Sequence, residues 1–288
     1  MSSFDPPFYA IRDVVTRALA EDLGVLGDLT AVLVPPDAHA MAEIVARHDG
    51  VLAGAASATE VFRQIDPDVT VSWSVTDSER VNRGAAAARI EGNLRSILTA
   101  ERTALNFLCH LSGIASATRG FVDAVSACGT AKIWDTRKTL PGLRALEKAA
   151  VRAGGGVNHR GSLSDMVLVK DNHLAGLGIM EAVARARAHW PGRGVEVECE
   201  RLDQVREAAT ARADLVMLDN MTPDQVAEAV AIVRAGAPAI LVEVSGGVTL
   251  DTVAAYAAAG VDLISTSAIT QSAPALDLGL DVTSVVEP

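Results

Sequence analysis

A chain of 288 residues that is 49% hydrophobic has material for one large or two medium domains, and its formal net charge of -11 argues against nucleic acid as a general partner. No apolar run approaches the roughly 20 residues that span a bilayer, and MSSFDPPFYA lacks a basic segment followed by an apolar one, so neither a membrane span nor a secretory signal is expected. Cys109, Cys128 and Cys199 lack CxxC spacing and read as reduced thiols of a cytoplasmic protein, with no disulfide framework and no zinc site.

In chain order, residues 8–22 predict a helix with Ile11, Val14, Val15, Ala18 and Leu19 on one face. The glycines of EDLGVLGDLT and then Pro35-Pro36 mark a loop. Two β-like runs, MAEIVARHDGVLAG and VTVSWSVT, flank an amphipathic helix over 57–65, and ARIEGN is a third short strand candidate; together they read as a small α+β unit. From 96 to 127 the pattern is helical, with Leu98, Leu105, Leu108, Leu111 and Ile114 as its apolar stripe and Gly113 as its point of possible interruption. Arg102 and Asn106 lie one turn apart and project from one side; taken alone, such an arginine is a surface residue.

After Gly129 one unit repeats: a short apolar run, a polar residue at its end, then a helix. The runs are KIWDT (132–136), MVLVK (166–170), VEVEC (195–199), LVMLD (215–219), ILVEV (240–244) and DLISTS (262–267), with GVNHR as a candidate seventh. Strands alternating with helices imply parallel pairing through right-handed crossovers, hence an α/β fold with an incomplete β/α barrel. The final ALDLGLDV alternates with period two, a strand that must return to the N-terminal sheet. The expected domains are therefore 1–112 plus 275–288, and a barrel over 113–274.

Every lysine of this acidic chain falls between Lys132 and Lys170, joined there by Arg137, Arg144, Arg152 and Arg160. A solvated basic helix face accounts for Arg144, Lys148 and Arg152 at helical spacing. It does not account for Arg137, Lys138, Arg160 and Lys170 at the ends of apolar runs, which point to an anion site. Barrels carry function where strands end. Those ends supply a cationic group (Arg137, Lys138, His159, Arg160, Lys170), an acidic group (Glu198, Asp219, with Glu243 less central), and SGG at 245–247 with STSA at 265–268. Guanidinium forks suit carboxylates and phosphates, carboxylates facing phosphates suit Mg²⁺ or ribose hydroxyls, and glycines after late strands suit a phosphate. The bland readings are mutual charge pairing for the first two groups and an ordinary turn for the third. The remaining histidines form no HxH or HExxH pattern, and no serine has a nucleophile-elbow context.

DTRKTLPGLRALEKAAVRAGGGVNHR, VKDNH, VEVEC, LDN and VSGG, in this order, together with LTAERTALNFLCHLSGIAS, closely resemble the quinolinate phosphoribosyltransferase family over essentially the whole chain. The resemblance implies that quinolinate and phosphoribosyl pyrophosphate give nicotinate mononucleotide, pyrophosphate and CO₂ with Mg²⁺. It also implies an N-terminal α/β sandwich, a seven-stranded incomplete barrel and at least a homodimer. By motif, Thr136, Arg137, Lys138, His159, Arg160 and Lys170 would hold the quinolinate carboxylates and the pyrophosphate, and Arg102 would reach the neighbouring subunit's site. Glu198 and Asp219 would lie near ribose and metal, and Ser245, Gly246, Gly247, Thr266, Ser267 and Ala268 near the 5′-phosphate. Lys138, Lys170, Glu198 and Asp219 would be the catalytic set. Three positions depart from the family pattern: Ser267 for a common Gly, Gln271 for a His and Ala149 for a Tyr. Rival readings are a Schiff-base aldolase using Lys170, and a phosphoribosyltransferase or phosphosugar-binding barrel for another pyridine acid.

Overall fold

The computed structural model describes residues 4–286. The chain divides into two compact units: one runs up to Arg119 and takes in Thr139–Gly155 and the chain from Ile269 onward, the other holds Gly120–Lys138 and Gly156–Ala268.

In the first unit α1 (Phe8–Leu23) buries Ile11, Val14, Val15 and Leu19, the face its spacing predicts. It packs on α2 (Ala55–Ile65), which buries Ala58, Val61 and Phe62. The strands are β1 (His39–Ala46), β2 (Gly50–Val51), β3 (Thr70–Trp73), β4 (Arg80–Val81) and β5 (Ala86–Asn93). In β1, Ala40, Ala42, Ile44 and Ala46 alternate inward, the period-two burial of a sheet with one covered face. The returning strand β12 (Leu278–Val286) pairs antiparallel with β1, giving the order β12-β1-β5-β3, while β2 and β4 form a separate ribbon.

α3 (Leu94–Ser126) is continuous through Gly113. A Cβ there would stand 2.8 Å from the Ala275 Cα and against the Pro274 carbonyl oxygen, so this glycine makes room for the returning chain and breaks nothing. Gly113→Ala is therefore expected to cost about 3 kcal/mol, the upper range for overpacking because backbone, not a side chain, must move. Urea denaturation checks this, and an unshifted midpoint would refute the close-crossing argument.

The first unit also includes α4 (Arg144–Ala153), which lies in the chain between the first two parallel strands. The reason is packing and hydrogen bonding: Leu146, Ala150, Val151 and Ala153 are buried, Arg152 Nη2 donates to the Phe4 carbonyl at 2.8 Å, and Arg144 Nε donates to Thr139 Oγ1 at 3.1 Å. Lys148 is buried as well. The basic helix face thus serves structure.

The second unit is a parallel sheet of β6 (Lys132–Trp134), β7 (Val167–Val169), β8 (Val195–Cys199), β9 (Leu215–Asp219), β10 (Leu241–Ser245) and β11 (Leu263–Ser265), in the order β6-β11-β10-β9-β8-β7. Helices α5 (Ile179–His189), α6 (Leu202–Thr210), α7 (Pro223–Gly236) and α8 (Val253–Ala258) connect successive strands from β7 to β11. Where GVNHR suggests a seventh strand, the described residues form one parallel bridge, Trp134 to Val157. Among the described residues no helix is long and apolar enough to cross a membrane.

Candidate active site

Parallel pairing brings every strand's C-terminal end to one edge of the sheet. There the second unit encloses a cavity of about 440 Å³. Alternation along the strands decides what faces it. In β8, Glu198 lines the cavity while Val197 and Cys199 are buried away from it; in β9, Met217 and Asp219 line it, and in β10, Glu243 and Ser245. Burial pushes the Cys199 thiol up to about 12, leaving it a core residue.

The cationic side comes from three consecutive segments. Thr136, Arg137 and Lys138 follow β6, His159 and Arg160 follow the Val157 bridge, and Lys170 follows β7; all line the cavity. Asp135, fully buried, fastens two of these segments together by accepting from the Asn158 side chain at 2.6 Å and the His159 N–H at 2.9 Å. Thr136 Oγ1 accepts from the Lys138 N–H at 2.9 Å and shapes the basic turn. Burial, and then the adjacent Arg137 charge, pull the Arg160 pKa below its ordinary value, against the opposing effect of Glu196 and Asp165. Two guanidinium groups that oppose each other's charge in one cavity have the chemistry to hold a dianion. Lys170 Nζ is paired with Glu198 Oε2.

His159 differs from the other expected ligands. Its Nδ1 accepts from the Arg160 N–H at 2.7 Å, so Nε2 carries the proton and donates to Glu196 Oε2 at 3.0 Å. Both ring nitrogens are engaged by protein. Trp134 packs edge-on against the ring at a centroid distance of 4.8 Å. Glu196 is not a strand-end residue: it lies one layer deeper, two residues before Glu198. Glu243 lies likewise two residues before Ser245. Glu243 is among the acidic candidates of the sequence, and the signal that adds Glu196 is the side-chain period of two. Burial, reinforced by Glu196, raises the Glu243 carboxyl well above the usual carboxylate range.

On the opposite strands, Asp219 Oδ2 accepts from Asn220 Nδ2 at 2.7 Å, and Asn220 takes a left-handed φ of 55° that asparagine tolerates. Gly246 and Gly247 follow with φ of 86° and 63°. A Cβ at Gly246 would stand 2.9 Å from Asp219 Oδ1 and against the Asn220 amide, so only glycine fits. Ser245, Gly246, Gly247 and, from the next strand, Ser265 line the cavity, whereas Thr266, Ser267 and Ala268 lie outside its lining. Thr266 instead spends its hydroxyl on the Val248 carbonyl at 3.0 Å and on the Ala268 N–H at 3.2 Å, tying the two late loops together. Arg102 is exposed on α3, in the first unit.

The family model for the quinolinate phosphoribosyl transferase C-terminal domain matches residues 114–281, and that for the N-terminal domain matches residues 13–112. The chain belongs to the quinolinate phosphoribosyltransferase family. The nicotinate-nucleotide pyrophosphorylase (carboxylating) of Mycobacterium leprae is 44% identical over 283 residues, covering 96% of this chain and 99% of that one. A probable enzyme of the same name from Bacillus subtilis is 41% identical, covering 95% and 93%. The solved nicotinate-nucleotide pyrophosphorylase of Francisella tularensis superposes with a TM-score of 0.91 at 41% identity, covering 96% of this chain and 97% of that one.

Proposed function

We propose that this chain transfers the phosphoribosyl group of phosphoribosyl pyrophosphate to quinolinate, releasing pyrophosphate and CO₂ and leaving nicotinate mononucleotide, a step of NAD biosynthesis. One observation carries the reading: Arg137, Lys138, Arg160 and Lys170 share a cavity with Glu198, Asp219 and the Gly246-Gly247 turn. Arg137 and Arg160 take the two pyridine carboxylates bidentately, with Leu168 and Met217 as the apolar surface under the ring. The pyridine nitrogen attacks ribose C1 as the C1–O bond to pyrophosphate breaks. Glu198 and Asp219 stabilise positive charge at the ribose, and Lys138 and Lys170 the leaving pyrophosphate. Quaternising the nitrogen lets the adjacent carboxylate depart as CO₂, and the electron pair left on that ring carbon takes up a proton.

Glu198 and Asp219 also fit Mg²⁺. Both are hard oxygen donors facing the cavity, and each has one oxygen already bonded to a neighbour, which suits a cation held through few protein ligands and several waters. When bound, the ion would add positive charge beside the pyrophosphate. The glycine turn receives the 5′-phosphate through its N–H groups, with Thr266, Ser267 and Ala268 supporting it from behind. Gly246→Ala is accordingly expected to raise KM for phosphoribosyl pyrophosphate by about 10²-fold, from misplacement of the turn and of Asp219 together. Initial-rate kinetics with that substrate varied check this; an unchanged KM would remove the phosphate from this loop.

The working enzyme is a homodimer at minimum, completed by Arg102 of a second copy, as the exposure of that helix arginine supports. The parallel sheet is a seven-stranded incomplete barrel, a reading supported by the Val157 N–H donating to Ile133 at 2.8 Å and by Arg160 Nη1 reaching the Met166 carbonyl at 3.4 Å. The free thiols suit a cytoplasmic location. The deciding assay supplies both substrates and Mg²⁺ and follows CO₂ and nicotinate mononucleotide. Their absence, or equal product from nicotinate without CO₂, overturns the assignment.

A further inference from the structure

At the floor of the cavity three buried groups, His159 and Glu243 in its lining and Glu196 behind them, bring their polar atoms within 4.8 Å of one another. Glu196 and Glu243 are fully buried. His159 Nε2 lies 3.0 Å from Glu196 Oε2 and 3.6 Å from Glu243 Oε2. Glu196 Oε1, both Glu243 oxygens and Ser265 Oγ are buried without a hydrogen-bond partner among the described residues. Ser265 carries its own hydroxyl hydrogen, but two facing buried carboxyl groups with no donor between them require either a cation or a proton.

The histidine tautomer decides between them. A ring nitrogen that ligates a metal must be unprotonated. Here Nδ1 accepts from the Arg160 N–H, so the single ring proton of the neutral imidazole sits on Nε2, the atom that faces both acids. A metal at this position would leave the imidazole with no proton at all. A hydrogen on Glu243, in contrast, supplies the donor that the two facing carboxyl groups lack. It leaves Glu196 to accept from His159.

We propose that Glu196 and Glu243 are positioning residues for quinolinate: they hold the His159 ring from below, and through its Nδ1 they fix the Arg160 backbone at the dianion site. The inference rests on the function proposed above and assigns His159 to the support of Arg160. Displacement of Arg160 by an ångström would weaken the grip on one pyridine carboxylate and leave the phosphosugar side untouched. The consequence is a one-sided kinetic effect. It also separates the two acids from generic core packing, which would alter both substrates or the melting temperature alone.

The test compares Glu243→Gln with Glu243→Ala. Glutamine keeps a neutral group that donates to Glu196, whereas alanine removes it. Expected for Glu243→Ala is a rise in quinolinate KM of about tenfold or more, with KM for phosphoribosyl pyrophosphate within about twofold of wild type, and for Glu243→Gln recovery of most of that loss. An unchanged quinolinate KM in a folded alanine variant, or a glutamine variant as impaired as alanine, overturns the proposal. A second readout needs no turnover: ¹⁵N spectra of histidine-labelled wild type, with His159 assigned by its replacement with glutamine, are expected to show the Nε2–H form at neutral pH. An Nε2 without its proton would make the cluster a cation site and overturn the proposal. Wild-type protein that shows Nε2–H but converts no quinolinate would refute the proposed function while leaving the histidine support standing.

Discussion

Arg137→Ala is expected to lower kcat/KM for quinolinate by about 10³-fold, because a bidentate guanidinium–carboxylate contact comprises two charge-assisted hydrogen bonds of about 1.5–3 kcal/mol each. Most of the loss should appear in KM, with KM for phosphoribosyl pyrophosphate little changed. Lysine is not a conservative replacement, since it offers a point charge where the substrate presents a plane. Arg137→Lys should therefore retain only a small part of the activity. Arg137 is half-buried on a turn, outside the sheet, so melting should stay close to wild type. Initial-rate kinetics with each substrate varied decide the matter. Equal effects on both substrates would remove Arg137 from the dianion site.

Lys170→Met is expected to reduce kcat by about 10²–10³-fold, the usual scale for deleting one preorganised charge at a reacting centre. Two losses combine in this variant. The pyrophosphate side loses a cation, and Glu198, only 8% exposed, loses its ion-pair partner. Because the residues form one pair, Glu198→Gln made in the Lys170→Met background should cost much less than Glu198→Gln made alone. Single-turnover kinetics on the four proteins of this cycle measure the coupling, and strictly additive losses would contradict the pairing. The same wild-type enzyme treated with borohydride and a carbonyl substrate should form no adduct at Lys170, since an ammonium paired with a carboxylate is not the free amine a Schiff base requires.

The strand-and-helix alternation was readable because VEVEC, LVMLD and ILVEV are short, β-branched and bounded by helical spacing. Their polar ends located the cavity for the same reason. Three things were not readable. Period-two reasoning stopped at the strand ends, so Glu196 was passed over although it shares a face with Glu198. Within STSA at 265–268 only the fold separates Ser265, which meets the cavity, from Thr266, which turns back to a carbonyl. And α4, with its arginines, interrupts the barrel sequence to join the first unit, which only contacts distant in the chain determine. Gly113 illustrates the limit of local rules. Propensity says a glycine weakens a helix, yet here a crossing backbone requires one.

The pairing of β12 with β1 sets an order of events during synthesis. Strand β1 is made before the parallel strands, but its outer edge stays open until the ribosome has passed all of them and made β12. The unit whose residues are translated first is thus the one whose sheet is completed last, after all the parallel strands exist. Throughout that interval the nascent chain carries an unpaired β-edge, and β12, made after every parallel strand, is what closes it.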